Sequence, residues 1–218
     1  MNAEKRQRIF ATLAAANPSP KTELEFGNPF QLLIAVLLSA QTTDKAVNIA
    51  TRRFFPITET PQQLVALGVE ALEAHIKTIG LYRNKAKNAV AAAQMLVERH
   101  NGEVPNNRAA LEALPGVGRK TANVVLNEAF GEATFAVDTH VFRVANRMKL
   151  APGKTVEEVE RKLMKFTPPE FLRHAHHWLI LHGRYTCVAR SPKCSECSVH
   201  EHCEYAKKDE MTSLASLR

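Results

Sequence analysis

The sequence predicts an all-α protein, and three of its features carry that prediction. Apolar residues recur at the three- and four-residue spacing of amphipathic helices along most of the chain. No stretch shows the sustained two-residue alternation of a half-buried strand. Proline, glycine and capping residues fall between the periodic stretches, where helices begin and end. These patterns divide the chain into roughly ten short helices.

Prolines and glycines separate the helices of the first half. We predict helices over residues 3–16, 29–40, 45–54, 61–67 and 69–76, and a long helix that follows Gly80 and reaches about His100. Residues 29–40 are nearly all apolar, which indicates a buried helix. Asp44 and Thr60 stand where N-caps are expected.

The second half of the chain is divided in the same way. Predicted helices cover residues 107–113, 119–130, about 139–148 and 156–166, and a last long stretch that Pro168 and Pro169 open. Gly131 ends the second of these helices, and Asp138 and Thr155 are the expected N-caps of the next two. The chain after Cys203 is polar, and we expect it to be frayed.

The composition excludes several classes of protein. A chain of 218 residues, 45% hydrophobic and 23% charged, can bury a core as one domain or two small lobes. Its longest apolar run, Leu32 to Leu38, is far shorter than the ~20 residues of a membrane span, and no secretory signal follows Met1. We therefore expect a cytoplasmic protein with no membrane partner. The net charge of +7 favours a polyanionic partner.

Residues 114–122, Leu-Pro-Gly-Val-Gly-Arg-Lys-Thr-Ala, form a turn too tight for side chains. Gly116 and Gly118 can take positive φ and leave backbone N–H groups bare at the start of the next helix. Such groups bind anions, and a phosphate suits them. Lys120 lies in the first helical turn, where the helix dipole disfavours a cation, so we expect it to have another role. The alternative is a solvated lysine on an ordinary αα-hairpin.

All four cysteines lie within 17 positions of one another, spaced C-x6-C-x2-C-x5-C. Such clustering does not suit disulfides in a fold of this size and predicts a metal site instead. The four ligands are Cys187, Cys194, Cys197 and Cys203. They could hold zinc or an iron–sulfur cluster, and the longer spacings favour the larger cluster.

Two further segments extend this pattern into a resemblance. The turn resembles the helix-hairpin-helix of DNA glycosylases, and residues 135–141, Phe-Ala-Val-Asp-Thr-His-Val, match the VDTH segment of that superfamily. The cysteine array is similar to that of its iron–sulfur branch, and the chain closely resembles the endonuclease III family. The resemblance covers about residue 20 to Tyr205 and leaves Lys207 to Arg218 unmatched. It implies a bifunctional DNA glycosylase and AP lyase of base excision repair that removes oxidised pyrimidines.

The resemblance also implies an architecture and partners. A six-helix lobe would span residues 22–132, with the helix-hairpin-helix at about 107–130. A second lobe would join residues 1–21 to 133–218 and carry a [4Fe–4S] cluster in the loop 187–203. Double-stranded DNA with damaged bases or abasic sites would lie in the cleft between the lobes, bound by a monomer.

Lys120 and Asp138 are the expected catalytic residues. A primary amine can attack C1′ of a damaged nucleotide and hold the sugar as a Schiff base, whereas water could only remove the base. We expect the Lys120 amine to be partly buried. Asp138 alone is an ordinary N-cap, but the resemblance places it facing the lysine. There it would stabilise positive charge on the sugar or help to deprotonate the amine.

Base removal also requires that the nucleotide leave the stack and that the hole be filled. The resemblance makes Gln41 and Leu81 the plug and the wedge; taken alone, they are a polar loop residue and a satellite core residue. Asp44 is a weaker candidate for a pocket contact. The remaining expected DNA contacts are Gly116, Val117, Gly118, Arg119, His140, Arg184, Arg190 and Lys193.

Two other functions compete with this one. A monofunctional relative such as the adenine glycosylase would have no need of Lys120, and that relative has a further C-terminal domain. A non-catalytic DNA-binding module built on the hairpin would need neither Lys120 nor Asp138.

Overall fold

The structure is a computed structural model that describes residues 1–215, with side chains described for residues 1–213. This part of the chain contains no strand, which confirms the predicted all-α fold. Its α-helices, in chain order, are α1 Ala3–Ala16, α2 Pro29–Leu38, α3 Asp44–Thr51, α4 Pro61–Ile76, α5 Tyr82–His100, α6 Arg108–Glu112, α7 Arg119–Phe130, α8 Thr139–Arg147, α9 Val156–Phe166, α10 Leu172–Tyr185 and α11 Lys208–Ala215. Within these bounds no helix is long and apolar enough to cross a membrane.

Two predicted elements differ from the structure, and a third, the break at Gly68, is present. Thr43, not Asp44, caps α3, because its side chain accepts the N–H of Ala46 and Asp44 is already the first helical residue. The predicted break between two helices at Gly68 is confirmed: α4 consists of two helical stretches that meet at a kink, where Gly68 is non-helical with φ of 80°. The polar chain after Cys203 forms α11 rather than fraying, and Lys208 ties its start to the His200 carbonyl at 2.9 Å.

The chain forms two compact units, and the first covers Thr22–Glu132. Its centre is α2, where every residue from Phe30 to Leu38 is buried. α2 packs against α5 and α7, and α4 packs along α5. A buried leucine side chain contributes about 1.5–3 kcal/mol, so this packing holds α5 and α7 firmly in the unit.

The second unit joins Met1–Lys21 to the chain from Ala133 onward. Its core packs α1 and α8 with α10. Trp178 of α10 donates its indole N–H to the carbonyl of Asn17 at 2.8 Å, just after α1 ends. The Glu204 carboxylate forms ion pairs with the Met1 ammonium at 3.0 Å and with the Lys5 ammonium at 2.9 Å. The amino terminus is thereby fixed to the segment that follows the cysteines.

Candidate active site and metal centre

The turn between α6 and α7 requires glycine at one of its two glycine positions. Gly116 has φ of +76°, and a Cβ there would lie 2.8 Å from the Cβ of Asn88. Gly118 has φ of −99° and ψ of 178°, so the expected positive φ is wrong for this residue. It lies in extended backbone, and a Cβ there would meet nothing within 4 Å. The space over Gly118 is therefore open for a ligand to approach.

The N-terminus of α7 has no side-chain cap. Its first-turn N–H groups have no partner within the helix, which makes them suited to an anion. Val117 contributes differently from what the motif suggests. Its N–H donates to the Leu114 carbonyl at 3.0 Å, and its side chain is buried in the core. Val117 therefore anchors the turn, and the amides that follow it form the candidate phosphate site.

Lys120 is the second residue of α7 and is exposed. The expected partial burial is therefore wrong for the protein without DNA. The reason is its position on the helix, since the buried side of α7 is formed by residues such as Ala122 and Val125. Arg119 beside it is also exposed. The amine lies next to the candidate phosphate site with nothing covering it.

Gln41 and Leu81 share an unusual backbone conformation. Their φ angles are 54° and 58°, in the left-handed region that non-glycine residues avoid at a cost of about 1–2 kcal/mol each. Both are exposed, and 60% of the Leu81 surface is accessible although leucine is apolar. Strained backbone of this kind concentrates at functional sites. The sequence carries no local signal for it.

Asp138 caps α8 through one carboxylate oxygen. Its Oδ1 accepts the N–H of His140 at 2.8 Å and that of Val141 at 2.9 Å. Its Oδ2 accepts no hydrogen bond from any described residue. Capping therefore fixes the carboxylate and leaves one oxygen available for chemistry.

Two arginines of α8, which the sequence analysis missed, fasten the cysteine loop to this helix. Arg143 donates from Nη2 to the Gly183 carbonyl at 2.7 Å and from Nε to the Cys187 carbonyl at 3.0 Å. Its Nη2 also lies 3.2 Å from Nδ1 of His140. Arg147 donates to the carbonyls of Val188 and Ala189 at 2.7 and 2.9 Å. Their four-residue spacing on α8 is the signal that could have revealed a shared face.

The four cysteines line one recess, and none of them forms a disulfide. Burial raises the pKa of the Cys197 thiol to about 11 and also raises the pKa of Cys194 and Cys203. Thiolates in such surroundings need a cation to compensate them. The recess is thus a poor place for four free thiols and a good one for a metal group.

The recess suits an iron–sulfur cluster better than a lone zinc ion. Among the described residues, no three His, Cys, Asp or Glu side chains converge closely enough to hold a single ion. A four-iron cluster is larger and sets its ligands further apart. Arg147 also donates to the Cys187 sulfur at 3.5 Å, and Nε2 of His182 lies 3.8 Å from the Cys197 sulfur. N–H groups near ligand sulfurs are typical of iron–sulfur sites.

The other predicted basic residues lie on or beside this loop. Arg190 and Lys193 are exposed, and Arg184 is half-buried at the end of α10. The four cysteines suffice as ligands, so His200 is not needed as one. Its Nε2 lies 3.5 Å from Oδ1 of Asp209 in α11. The loop therefore presents two basic side chains to solvent on a framework that its cysteines and the α8 arginines hold.

Comparison with known proteins identifies relatives over nearly the whole chain. The model of HhH-GPD superfamily base excision DNA repair proteins matches residues 34–169, and that of the iron-sulfur binding domain of endonuclease III matches residues 187–203. Endonuclease III of Escherichia coli (strain K12) is 60% identical over 208 residues, 95% of this chain and 99% of that protein. Endonuclease III of Haemophilus influenzae is 58% identical over 210 residues, 96% of this chain and 100% of that protein.

A solved structure agrees with these relatives. A trapped endonuclease III–DNA covalent intermediate superposes with a TM-score of 0.89 at 45% identity, over 96% of this chain and 99% of that one. The fold and the superfamily match together define a base-excision repair glycosylase. Identity at this level goes further, and the chain belongs to the endonuclease III family. It is a bifunctional DNA glycosylase and AP lyase with a [4Fe–4S] cluster.

Replacing Cys197 with serine should remove the cluster. A serine hydroxyl is a poor substitute for a thiolate ligand, and the recess offers no fifth cysteine. We expect loss of the visible absorption and of bound iron and sulfide, together with increased proteolysis near Arg190. Ser195→Ala, an exposed position in the same loop, is the matched control. Iron retained at the unsubstituted level in Cys197→Ser, or zinc in place of iron in the unsubstituted protein, would contradict the assignment.

Proposed function

We propose that Lys120 is the nucleophile and Asp138 the assisting carboxylate of the glycosylase and lyase reactions on oxidised pyrimidines. The observation that carries the proposal is the position of Lys120, exposed in the uncapped first turn of α7 directly after the glycine turn. Phosphate bound at that turn would bring a nucleotide sugar within reach of the amine. The similarity to a trapped endonuclease III–DNA covalent intermediate supports a covalent route.

The proposed chemistry has four steps. The neutral Lys120 amine attacks C1′, the glycosidic bond breaks, and the base leaves with the bonding electrons and takes up a proton. The attached nitrogen then gives up one of its two protons, and its lone pair opens the sugar ring. The ring oxygen takes up a proton as it leaves, and the nitrogen keeps its other proton, which gives a protonated Schiff base. Loss of a C2′ proton expels the 3′ phosphate by β-elimination, and water finally releases the aldehyde product and the amine.

Asp138 contributes through the oxygen that the cap does not use. A fixed carboxylate can accept a proton from the Lys120 ammonium before the amine attacks, and it can stabilise positive charge that grows on the sugar. A monofunctional glycosylase would need only the second of these roles and no amine. The lysine is therefore the residue that favours the bifunctional reaction over the adenine-type alternative.

The remaining DNA contacts follow from exposure and charge. We propose that the amides of α7 and Gly118 bind one phosphate and that Arg119, His140, Arg184, Arg190 and Lys193 contact others. Gln41 and Leu81 would fill the space left by the extruded nucleotide.

We assign the hairpin lobe to Thr22–Glu132 and the cluster lobe to the rest of the chain. The protein would act on DNA as a monomer in the cytoplasm. The four cysteines would hold the [4Fe–4S] cluster, and the bound cluster would anchor the basic loop that carries Arg190 and Lys193.

Borohydride trapping tests the proposed function. The protein is incubated with a duplex that carries one oxidised pyrimidine, and borohydride is added during turnover. A Schiff base would be reduced to a permanent amine, which joins protein and DNA in one band on a denaturing gel. Strand cleavage without any trapped adduct would contradict the proposal.

Replacing Gly118 with alanine should weaken DNA binding without disturbing the fold. The added methyl enters open space and the backbone is extended, so the midpoint of thermal unfolding should hardly move. It stands where a phosphate must approach the amides, so affinity should fall by on the order of 10-fold for lesion and undamaged DNA alike. Titrations with both duplexes measure it.

Gly116→Ala provides the contrast. It should lower stability as well as affinity, because it adds a left-handed alanine and a contact with Asn88. Unchanged affinity in Gly118→Ala would show that the phosphate lies elsewhere.

A further inference from the structure

Lys85 is a buried cation that the proposed chemistry does not use. It lies in the first turns of α5, and only 5% of its surface is exposed. Burial lowers the pKa of its ammonium group. The partner of its Nζ among the described residues is neutral, namely the hydroxyl of Thr42 at 2.6 Å. Burying an ammonium group is costly when no carboxylate compensates it, so a lysine here needs an explanation.

The two ends of Lys85 contact two turns of this unit that each carry a left-handed non-glycine residue. Its backbone N–H donates to the carbonyl of Leu81 at 3.1 Å. Its side chain reaches Thr42, the residue directly after Gln41. Leu81 and Gln41 are the exposed left-handed residues described above. Lys85 therefore links the turn that carries Leu81, the proposed wedge, to the turn that carries Gln41, the proposed plug.

Both turns need such a link because left-handed non-glycine residues relax unless their surroundings hold them. Thr42 is otherwise held locally, by its N–H on the Ser39 carbonyl at 3.0 Å. That bond closes its own turn and does not connect it to α5. The Lys85–Thr42 bond, by contrast, is a side-chain hydrogen bond that crosses from this turn to α5.

We infer that Lys85 is a positioning residue that locks the Gln41 turn to the start of α5, so that Gln41 and Leu81 enter the DNA as one rigid unit. The inference rests on the proposed function of those two residues in filling the space left by the damaged nucleotide. It concerns extrusion of the nucleotide and leaves the chemistry at Lys120 untouched.

The test compares two substrates with Lys85→Met, which keeps the length of the side chain and removes its ammonium group. One duplex has the lesion opposite its normal partner base. The other has it opposite a tetrahydrofuran residue, which has no base, so that extrusion costs less. Single-turnover base release should slow by about 10- to 100-fold on the first duplex, as expected for a misplaced group. On the second duplex it should slow by less than about threefold.

Matched variants separate this role from general damage. Lys87→Met removes the same charge from an exposed position two residues along α5 and should act like the unsubstituted protein on both duplexes. Thr42→Val removes the acceptor and should slow base release on the first duplex only, as Lys85→Met does. Thr42→Ser keeps the hydroxyl and should release the base at the unsubstituted rate. Thr42→Val also decides the matter if Lys85→Met fails to fold. Combining Lys85→Met with Leu81→Ala should slow base release little more than the slower single variant does, because both act on one step.

Two results would overturn the inference. If Lys85→Met slows base release equally on both duplexes, Lys85 is a structural residue or takes part in the chemistry. If it slows base release on neither duplex, Lys85 does not position the two turns. Borohydride trapping on the second duplex distinguishes these two outcomes for Lys85 from a failure of the proposed role of Lys120. Trapping should stay near the unsubstituted level in Lys85→Met, whereas absence of trapping in the unsubstituted protein would reject the proposed function itself.

Discussion

Replacing Lys120 with glutamine should abolish borohydride trapping and lower strand cleavage at oxidised pyrimidines by at least about 10³-fold. Glutamine has nearly the reach of lysine and can still donate hydrogen bonds, but its amide is not a nucleophile at neutral pH. The side chain is exposed, so stability should change by no more than about 0.5 kcal/mol. Binding to an uncleaved lesion duplex should persist, since the phosphate contacts come from backbone amides.

Lys87→Gln is the control for this experiment, since it removes another exposed lysine from the same unit. It should trap and cleave like the unsubstituted protein. The terminal amine of Met1 is unsuited to replace Lys120, because it is paired with Glu204 at 3.0 Å. If Lys120→Gln still forms an adduct, another lysine is the nucleophile and the proposed mechanism is wrong.

The local part of this site follows from sequence because its causes are local. The glycine turn, the start of α7 and the cap of α8 each depend on residues within one helical turn. Gly116 needs glycine because of its positive φ and its contact with Asn88, and the motif alone could not separate it from Gly118. A consensus of two glycines thus conceals two different reasons for glycine.

The parts that sequence could not predict depend on residues far apart in the chain. The burial of Lys85 arises because its helix packs beside the turn that carries Thr42, 43 positions earlier. The bonds of Arg143 and Arg147 to the cysteine loop span about 40 positions. Left-handed backbone at Gln41 has no propensity signal, since glutamine is rarely found there. Such features are determined by packing, which no window of neighbouring residues contains.

Arg143 and Arg147 fix the helix, α8, that Asp138 caps. They bind carbonyls of the loop that carries Cys187, so one helix bears both the carboxylate at its N-terminus and the fastening of the loop at its other end. A substitution at Asp138 can therefore act in two ways, through the charge or through the helix. Separating them requires a variant that changes only one.

Asp138→Asn is that variant. Asparagine caps a helix about as well as aspartate, so an amide oxygen in place of Oδ1 should keep the bonds to the N–H groups of His140 and Val141. The midpoint of thermal unfolding should hardly change. Loss of the charge should lower single-turnover base release by about 10²- to 10³-fold, the effect of removing one preorganised electrostatic group. Asp138→Ala should lose both the charge and the cap, with about 1 kcal/mol of stability. Melting curves and single-turnover rates on the same preparations separate the two effects, and a Asp138→Asn protein with unimpaired turnover would reduce this residue to a helix cap.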